Sequence, residues 1–303
     1  MPPRDARNAI VLTVLASLIW GTSFPGTKRG LDFAGNDVVF LWLRFLVATI
    51  ITLGVVLYLR KLSLSFFKNP RVWAIGGLNM AGFVTQYVAL TITTSSKTAL
   101  LVDINVVAVA IISYFVFTER LNKWQITGIV MGTVGVIFVT LNKDLSFNLE
   151  QILGDALAYL AGWCWAFFII LSKKLVGSHS AVEVSSAAIT TCFVWLAIPT
   201  AYVVVMGADL SMMPSAWPWV LYLGLFCTSI ATLLWALGLE GVSATSSATI
   251  MLVEVLTALA LSYTLLSERL SSAALVGAAL VLAAIYLVSS RAGPQEKPSV
   301  KQA

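Results

Sequence analysis

The sequence predicts an all-α membrane protein with ten transmembrane helices, arranged as two inverted five-helix repeats. The first observation is composition: of 303 residues, 59% are hydrophobic and only 11% are charged, whereas soluble domains carry about 25% charged residues. The second is a series of apolar runs, each near the roughly 20 residues that a helix needs to cross the hydrocarbon layer. The third is a Glu-Arg-Leu triplet that occurs at 119–121 and again at 268–270.

Ten spans follow in order along the chain, separated by short breaks that hold charged residues, glycine, proline or asparagine. Their predicted bounds are 9–27, 38–58, 72–93, 97–117, 124–141, 152–172, 182–206, 217–238, 244–266 and 272–289. None of the breaks is long enough for an extramembrane domain. Because the number of spans is even, both termini lie on the same side of the membrane.

The distribution of basic residues predicts which side that is. Of 19 Lys and Arg residues, 13 lie on the side of the termini, Arg44 lies inside a span, and the other five lie on the opposite side. Those five are Lys28, Arg29, Lys97, Lys143 and Arg269. Since cytoplasmic loops carry the excess of Lys and Arg, we expect a multi-pass protein of the cell inner (plasma) membrane with both termini in the cytoplasm.

Several classes of protein are excluded for want of the residues they need. The three cysteines lie inside apolar runs and the chain has one histidine, so neither a disulfide framework nor a metal site is expected. We find no phosphate-binding glycine loop and no catalytic triad, and therefore expect no enzyme and no cofactor. The basic residues follow topology, so no nucleic-acid partner is expected. The expected partners are the lipid bilayer and a small-molecule substrate, and the expected state is a monomer.

The chain repeats itself beyond the triplet. A shift of 149 residues aligns Ser113-Tyr114 with Ser262-Tyr263 and Ala99 with Ala248, and a shift of 145 aligns Trp20 with Trp165 and Lys28-Arg29 with Lys173-Lys174. We therefore predict a first repeat over residues 1–146, a second over 147–291, and a cytoplasmic tail over 292–303. Because five spans is an odd number, the second repeat is inverted. Inverted repeats are typical of secondary transporters, whose substrate site lies between the halves.

Four stretches carry a resemblance to a known family: WGTSFPGTKRGL, WLRFLVA, SSKTALLV with FTERL, and TSSATIMLVEV with LLSERL. Over nearly the whole chain they resemble the ten-helix, EamA-type carriers of the drug/metabolite transporter superfamily. The nearest branch is that of the bacterial exporters of aromatic amino acids (YddG-like). The family commonly has a proline 13 residues before each motif glutamate, where this chain has Val106 and Val255. This departure predicts straighter fourth and ninth helices.

Polar residues at helical spacing predict the faces that line a pathway, because polar groups in spanning helices usually face the protein interior. The candidate substrate-binding residues are Asn79, Phe83 and Gln86 on the third span, Leu101 and Asn105 on the fourth, Thr228, Thr232 and Trp235 on the eighth, and Glu254 on the ninth. The alternative is that these side chains only hydrogen-bond neighbouring helices together. Glu254, near mid-span, suits proton coupling or contact with a substrate amine, or else is a structural carboxyl.

Tryptophans near mid-membrane are further candidates. Trp20, Trp163 and Trp165 lie there, and aromatic walls suit aromatic or cationic ligands. Because Trp163 and Trp165 point in opposite directions from their helix, at most one faces the pathway. Trp163 shares a face with Tyr159 and is the preferred candidate, with plain helix packing as the alternative.

Two charges inside the spans predict each other as partners. Arg44 and Asp103 each lie six residues into a span that begins on the outer side, so they sit at the same depth. We predict a structural ion pair, since pairing neutralises two otherwise costly groups.

The predicted function is export of small metabolites, above all aromatic and other apolar amino acids, by alternating access through a central cavity. One alternative is export of cationic drugs, with Glu254 compensating the charge. Another is a phosphate- or sugar-carrying antiporter, which the sequence favours less because Arg44 is the only basic residue predicted at the cavity.

Overall fold

The computed structural model describes residues 6–60, 65–103, 105–117, 123–140, 149–210, 213–242 and 244–290. Within these residues the chain is helical and forms no β-strand. The helices are α1 (Ala6–Leu31), α2 (Asp37–Tyr58), α3 (Pro70–Ile92), α4 (Ser95–Val102), α5 (Asn105–Phe117), α6 (Lys123–Thr140), α7 (Leu149–Val176), α8 (Ala181–Val205), α9 (Met213–Tyr222), a π-helical segment (Leu223–Ile230), α10 (Ala231–Leu239), α11 (Ala244–Ile250), α12 (Leu252–Leu266) and α13 (Ser272–Ser290). The first triplet, 119–121, and the tail, 292–303, lie outside the described residues.

Six helical stretches are long and apolar enough to cross a membrane, and shorter apolar helices accompany them. The six are Arg7–Leu31, Asp37–Tyr58, Pro70–Ile92, Gln151–Val176, Ala181–Val205 and Pro214–Leu239. Large apolar side chains such as Leu57, Val205 and Leu265 are exposed on the outside of this bundle, as expected where lipid is the solvent. The chain is thus a membrane protein with several apolar helices, and the count of ten spans stays a prediction.

Three of the predicted spans are interrupted. The fourth breaks at Asp103 between α4 and α5, the ninth breaks at Met251 between α11 and α12, and the eighth contains the π-helical segment. The fourth and ninth spans are thus each interrupted, although neither has a proline at the family position. At the first break the Asp103 carboxyl accepts a hydrogen bond from the Asn105 amide at 3.3 Å.

In the π-helical segment, side chains bond to carbonyls five residues earlier. Thr228 Oγ1 donates to the Leu223 carbonyl at 3.0 Å, and Ser229 Oγ donates to the Gly224 carbonyl at 2.9 Å. These hydroxyls donate hydrogen bonds to carbonyls in a wide turn, the kind of local irregularity that is frequent at functional sites.

The helices pack so that α1 and α7 occupy corresponding central positions. Helix α1 packs against α10 and α12, while α7 packs against α3, α4 and α5. Gly21 allows the close approach of α1 to α12, because a Cβ atom there would lie 2.5 Å from Thr257 Cβ and 2.6 Å from the Glu254 carbonyl oxygen.

Two lysines at corresponding positions of the chain bind backbone carbonyls at the C-terminal ends of other helices. Lys28 Nζ donates to the carbonyl of Leu90 and, at 2.7 Å, to that of Thr93. Lys173 Nζ donates to the carbonyls of Leu239 at 2.6 Å and Val242 at 2.7 Å. The lysines are 145 residues apart, and each pair of carbonyls is 149 apart, so the contacts follow the two shifts seen in the sequence. We call residues 1–146 the first half and 147–291 the second half.

Candidate functional site

A cavity with about 640 Å³ of unfilled space lies where the two halves meet. Helices α1 to α5 contribute to its lining from the first half, and α7, α10 and α12 from the second. The lining residues are Trp20, Ser23, Phe24, Arg44, Asn79, Phe83, Gln86, Val102, Asp103, Asn105, Trp165, Phe168, Ile169, Thr232, Trp235, Met251 and Glu254.

Most of the lining consists of matched positions from the two halves. The shift of 145 pairs Trp20 with Trp165, Ser23 with Phe168 and Phe24 with Ile169, and the shift of 149 pairs Phe83 with Thr232, Gln86 with Trp235, Val102 with Met251 and Asn105 with Glu254. Three lining residues have no lining counterpart: Arg44, Asn79 and Asp103. Two of these three carry charged groups, so ionic character is where the halves differ most.

One side of the cavity is a continuous wall of aromatic rings. The ring centroids of Trp20 and Trp235 are 6.0 Å apart, and those of Trp235 and Phe168 are 5.5 Å apart in a stacked arrangement. Trp165 meets Phe168 edge-on at 5.6 Å and Phe83 edge-on at 4.9 Å. The wall therefore begins and ends in the first half and passes through three rings of the second.

Hydrogen bonds fix two of the indoles in this wall. Trp20 Nε1 donates to the Cys227 carbonyl at 2.8 Å, and Trp235 Nε1 donates to Ser247 Oγ at 2.9 Å. With their only polar atoms bound to protein, these rings present apolar surface to the cavity. Such rings are suited to an apolar or aromatic ligand group.

Arg44 is fully buried and rigidly held at the cavity. Its Nε donates to Thr228 Oγ1 at 2.7 Å, and its Nη1 donates to Tyr87 Oη at 3.1 Å and to Thr27 Oγ1 at 3.5 Å. The guanidinium lies 4.8 Å from the centroid of the Phe83 ring. Among the described residues Nη2 has no hydrogen-bond partner, so one donor group of a lining arginine stays available to a ligand.

Three acceptor atoms at the cavity are also without partners. They are Asp103 Oδ2, Asn105 Oδ1 and Glu254 Oε2, which bond to none of the described residues. The side chains that carry them are 1%, 1% and 7% exposed, respectively. Buried polar atoms normally have hydrogen-bond partners, so three unpaired acceptors in one cavity indicate a place for donors of a ligand or water.

The structure brings eight of the predicted site residues to the cavity and leaves three outside its lining. The eight are Trp20, Asn79, Phe83, Gln86, Asn105, Thr232, Trp235 and Glu254. Leu101 is instead fully buried in helix packing, and its neighbours Val102 and Asp103 line the cavity in its place. Thr228 is outside the lining, but its hydroxyl accepts a hydrogen bond from Nε of the lining residue Arg44.

The structure corrects the choice between the two tryptophans of α7. Trp163 contacts Tyr159 edge-on at 6.5 Å, as their shared face predicts, but it does not line the cavity. Trp165 lines it instead. Sequence reasoning aligned Trp165 with Trp20, and that alignment was the signal that identifies the lining residue.

The predicted ion pair between Arg44 and Asp103 is also corrected. Both side chains line the same cavity, as their equal depth suggested, but no salt bridge joins them in the described part of the chain. Arg44 is held by hydroxyl groups, and Asp103 bonds to the Asn105 amide. The two charged groups therefore face one cavity without neutralising each other by contact.

One end of the molecule is tied across the two halves by the second triplet. Glu268 accepts hydrogen bonds from Ser95 N and Ser96 N, both at 2.9 Å, and from Ser96 Oγ at 2.8 Å. Ser262 Oγ donates to Ser95 Oγ at 3.0 Å. The carboxylate thus caps the first turn of α4, where free N–H groups and the helix dipole favour a negative charge. Sequence reasoning singled out the triplet but did not identify this partner.

A buried charge pair ties the halves at the same end. Lys97 Nζ lies 3.6 Å from Asp155 Oδ2, and Thr93 Oγ1 donates to Asp155 Oδ1 at 2.8 Å. Asp155 belongs to α7 of the second half, while Lys97 and Thr93 belong to the first. The predicted topology places this end on the outer side of the membrane.

Comparison with known proteins agrees with this architecture. The sequence profile of the EamA-like transporter family matches residues 7–141 and again residues 152–290. An uncharacterized transporter of Archaeoglobus fulgidus is 27% identical over 263 residues, which cover 84% of this chain and 88% of that protein. The uncharacterized transporter YyaM of Bacillus subtilis is 20% identical over 246 residues, covering 79% and 80%. A crystal structure, described only as that of a protein, has the same fold: the TM-score is 0.66 at 20% identity, covering 93% of this chain and 96% of that one.

Proposed function

This chain belongs to the EamA-like transporter family, and on that premise we propose that it exports small organic metabolites, above all aromatic and other apolar amino acids, by alternating access. The observation that carries the proposal is the cavity between the halves, with its wall of five aromatic rings. Small-molecule sites are typically concave and mostly apolar with a few placed polar groups, and this lining combines five rings with Arg44, Asp103 and Glu254.

The proposed architecture is ten spans in two inverted five-helix repeats, with both termini in the cytoplasm. Three observations support it: the family profile matches the chain twice, the lysine contacts repeat at the same shifts, and matched positions supply most of the cavity lining. In carriers of this design the substrate site lies between the repeats near the midplane.

Alternating access requires two ends that close in turn, and the ties at Glu268 and Asp155 supply one closed end. The shift of 149 gives Glu119 as the counterpart of Glu268, and Ala244 and Thr245 as the counterparts of Ser95 and Ser96. We propose that Glu268 acts as a latch, which caps α4 while this end is closed and releases it when the end opens.

A cationic drug is the second candidate substrate, because Asp103 and Glu254 bring two carboxyl groups to the cavity. An anionic phosphate or sugar phosphate is disfavoured. Among the described lining residues the only cationic side chain is Arg44, and phosphate sites usually combine several basic or backbone donors.

The test is counterflow in proteoliposomes, with unlabelled phenylalanine inside and labelled phenylalanine outside. Wild type is expected to exchange phenylalanine. Trp165→Ala removes a lining ring that contacts Phe83 and Phe168, so we expect a loss of about tenfold in apparent affinity.

Trp163→Ala is the matched control, because that ring lies outside the lining and contacts Tyr159 instead. It should keep near wild-type affinity. Exchange of a lipophilic cation without exchange of phenylalanine would replace the amino-acid proposal with the drug-export alternative.

A further inference from the structure

We infer that the cavity selects zwitterions, with Arg44 binding a substrate carboxylate and the group Asp103, Asn105 and Glu254 binding a substrate ammonium. The inference rests on the proposed function, since it names the ionic form of the substrate that the same cavity accepts. It goes beyond that function because an aromatic wall alone would equally suit a neutral, anionic or cationic aromatic compound.

The carboxylate position follows from how Arg44 is held. Hydrogen bonds from Nε and Nη1 to hydroxyls of Thr228 and Tyr87 fix the plane of the guanidinium, and Nη2 is left without a partner among the described residues. A guanidinium fixed before the ligand arrives loses little conformational entropy on binding. Its hydrogen bonds to a carboxylate are of the strong, charge-assisted kind.

The ammonium position follows from the number and kind of the unpaired acceptors. An ammonium group has three N–H donors and no acceptor. Asp103 Oδ2, Asn105 Oδ1 and Glu254 Oε2 are three buried oxygens without partners in the described part of the chain. Donor and acceptor numbers therefore match, and Asn105 is already oriented by its own bond to Asp103 Oδ1 at 3.3 Å.

A purely structural role would predict a different arrangement. Charges kept only for stability would be expected to neutralise each other by contact, because an unpaired buried charge is costly. Here Arg44 and Asp103 form no salt bridge although both line the same cavity. A zwitterion supplies a partner to each group at once, whereas a ligand with one charge leaves the other group unpaired.

Arg44 and Glu254 have no charged counterparts at the corresponding positions of the other half. The counterpart of Arg44 at a shift of 145 is Ile189, which is buried in helix packing, and the counterpart of Glu254 is Asn105. The cavity is thus polarised, although most of its lining is matched. The aromatic wall then receives the side chain of the zwitterion.

The experiment measures binding and exchange of three ligands that share one ring. Phenylalanine carries both charges, phenethylamine carries only the ammonium, and 3-phenylpropionate carries only the carboxylate. Displacement of labelled phenylalanine is measured on purified wild-type protein, followed by counterflow of each compound. We expect phenylalanine to bind at least about tenfold more tightly than either analogue, because each analogue leaves charged hydrogen-bonding groups unpaired.

Two variants test which residues bind the carboxylate of the substrate and which bind its ammonium. In Arg44→Gln the preference for phenylalanine over phenethylamine should fall by about tenfold, while its preference over 3-phenylpropionate persists. In Glu254→Gln the pattern should reverse. Arg29→Gln is the control: Arg29 is exposed and pairs with Asp32 at 3.3 Å, so removing its charge should change neither preference.

The outcomes separate the inference from the proposed function. If phenylalanine exchanges but both analogues bind equally well, zwitterion selection is overturned and amino-acid transport stands. If phenethylamine exchanges and phenylalanine does not, both fail together and the cation alternative replaces them. Because Arg44→Gln also removes contacts to Thr228 and Tyr87, its unfolding midpoint is compared with wild type. Glu254→Gln, whose Oε2 has no partner in the described chain, tests the inference independently.

Discussion

The two halves of the chain finish equivalent helices in the same way but face the cavity with different side chains. Lys28 and Lys173 bind carbonyls at matching helix ends. At the cavity, by contrast, Gln86 of the first half corresponds to Trp235 of the second at the shift of 149, and Asn105 corresponds to Glu254. The lysines at these helix ends are identical, whereas Trp20 and Trp165 are the only identical pair among the seven matched lining pairs. The comparison therefore separates shared helix-end contacts from a cavity lining that differs between the halves.

The two halves contribute different kinds of side chain to the cavity lining. The first half supplies amides and charged groups to the lining, including Arg44, Asn79 and Asp103, while the second half supplies most of the ring wall through Trp165 and Trp235. A ligand with a polar head and an aromatic side chain fits such a division. Variants at matched positions test this difference between the halves.

Replacing Lys28 or Lys173 with methionine should have the largest effect. Lys28→Met and Lys173→Met each keep the apolar stem but leave two carbonyl oxygens without their charged donor. We expect each to lower the free energy of unfolding by about 3 kcal/mol, measured by denaturant titration in detergent micelles. Similar losses in both would support equivalent halves.

The control is Lys68→Met, which makes the same change at an exposed lysine outside both contacts. A loss for Lys28→Met with none for Lys173→Met would contradict the idea that the two contacts are equivalent.

A side chain at Gly21 should have the next largest effect. In Gly21→Ala the added Cβ would meet Thr257 Cβ at 2.5 Å and the Glu254 carbonyl at 2.6 Å, so α1 and α12 must separate. Overpacking of this kind costs about 1–3 kcal/mol, read from the unfolding midpoint. The matched position in the second half already carries an alanine, Ala166, which is fully buried.

Gly54→Ala serves as the comparison for this variant, because a Cβ there would meet nothing within 4 Å. It should stabilise α2 slightly, by up to about 1 kcal/mol. If both glycine variants behaved alike, close approach of α1 and α12 would not be the reason for Gly21.

Weakening the Glu268 latch should change access rather than stability. Glu268→Gln keeps the shape but removes the charge that accepts from Ser95 and Ser96. We expect about a tenfold shift towards opening at this end. The measurement is labelling of a cavity reporter, Ser23→Cys, by an impermeant maleimide added from the outer side.

Protein without the reporter gives the background from Cys164, Cys192 and Cys227. Unchanged labelling in Glu268→Gln would show that the carboxylate does not hold this end closed.

The smallest effect is expected at Ser95. Its hydroxyl accepts from Ser262 at 3.0 Å, whereas the matched position in the second half, Ala244, has no hydroxyl. Ser95→Ala makes the first half like the second and should cost about 0.5–1.5 kcal/mol, seen as a lowered unfolding midpoint. A second loss of the same size on adding Ser262→Ala would indicate that the two hydroxyls do not act through each other.

Helix positions were predictable because their signals are local. The predicted bounds 38–58 lie within one residue of Asp37–Tyr58, and Asn36 caps that helix with its side chain. The breaks at Asp103 and Met251 were not predictable from a breaker residue, because neither site has a proline or a glycine. At Asp103 the chain carries two polar side chains, Asp103 and Asn105, which bond to each other.

Depth along a span was also easier to predict than direction around it. Counting residues placed Arg44 and Asp103 at one level, and both line the cavity, but the count could not tell that their side chains bond elsewhere. The choice between Trp163 and Trp165 failed for the same reason, since the rotation of α7 is set by packing against α3, α4 and α5. Lys28 and Glu268 were noticed as repeats, yet their partners are backbone groups distant in sequence.

The spacing between corresponding residues of the two halves changes by one at the π-helical segment. Pro70 and Pro218 are 148 residues apart, whereas Gln86 and Trp235, beyond the segment, are 149 apart. A single residue inserted after gene duplication would leave this spacing, and a π turn absorbs one extra residue without ending the helix. Thr228, inside that segment, is the residue that now accepts from Arg44 Nε. One added residue in the second half would thus account for both the π turn and the anchor of an arginine in the first half.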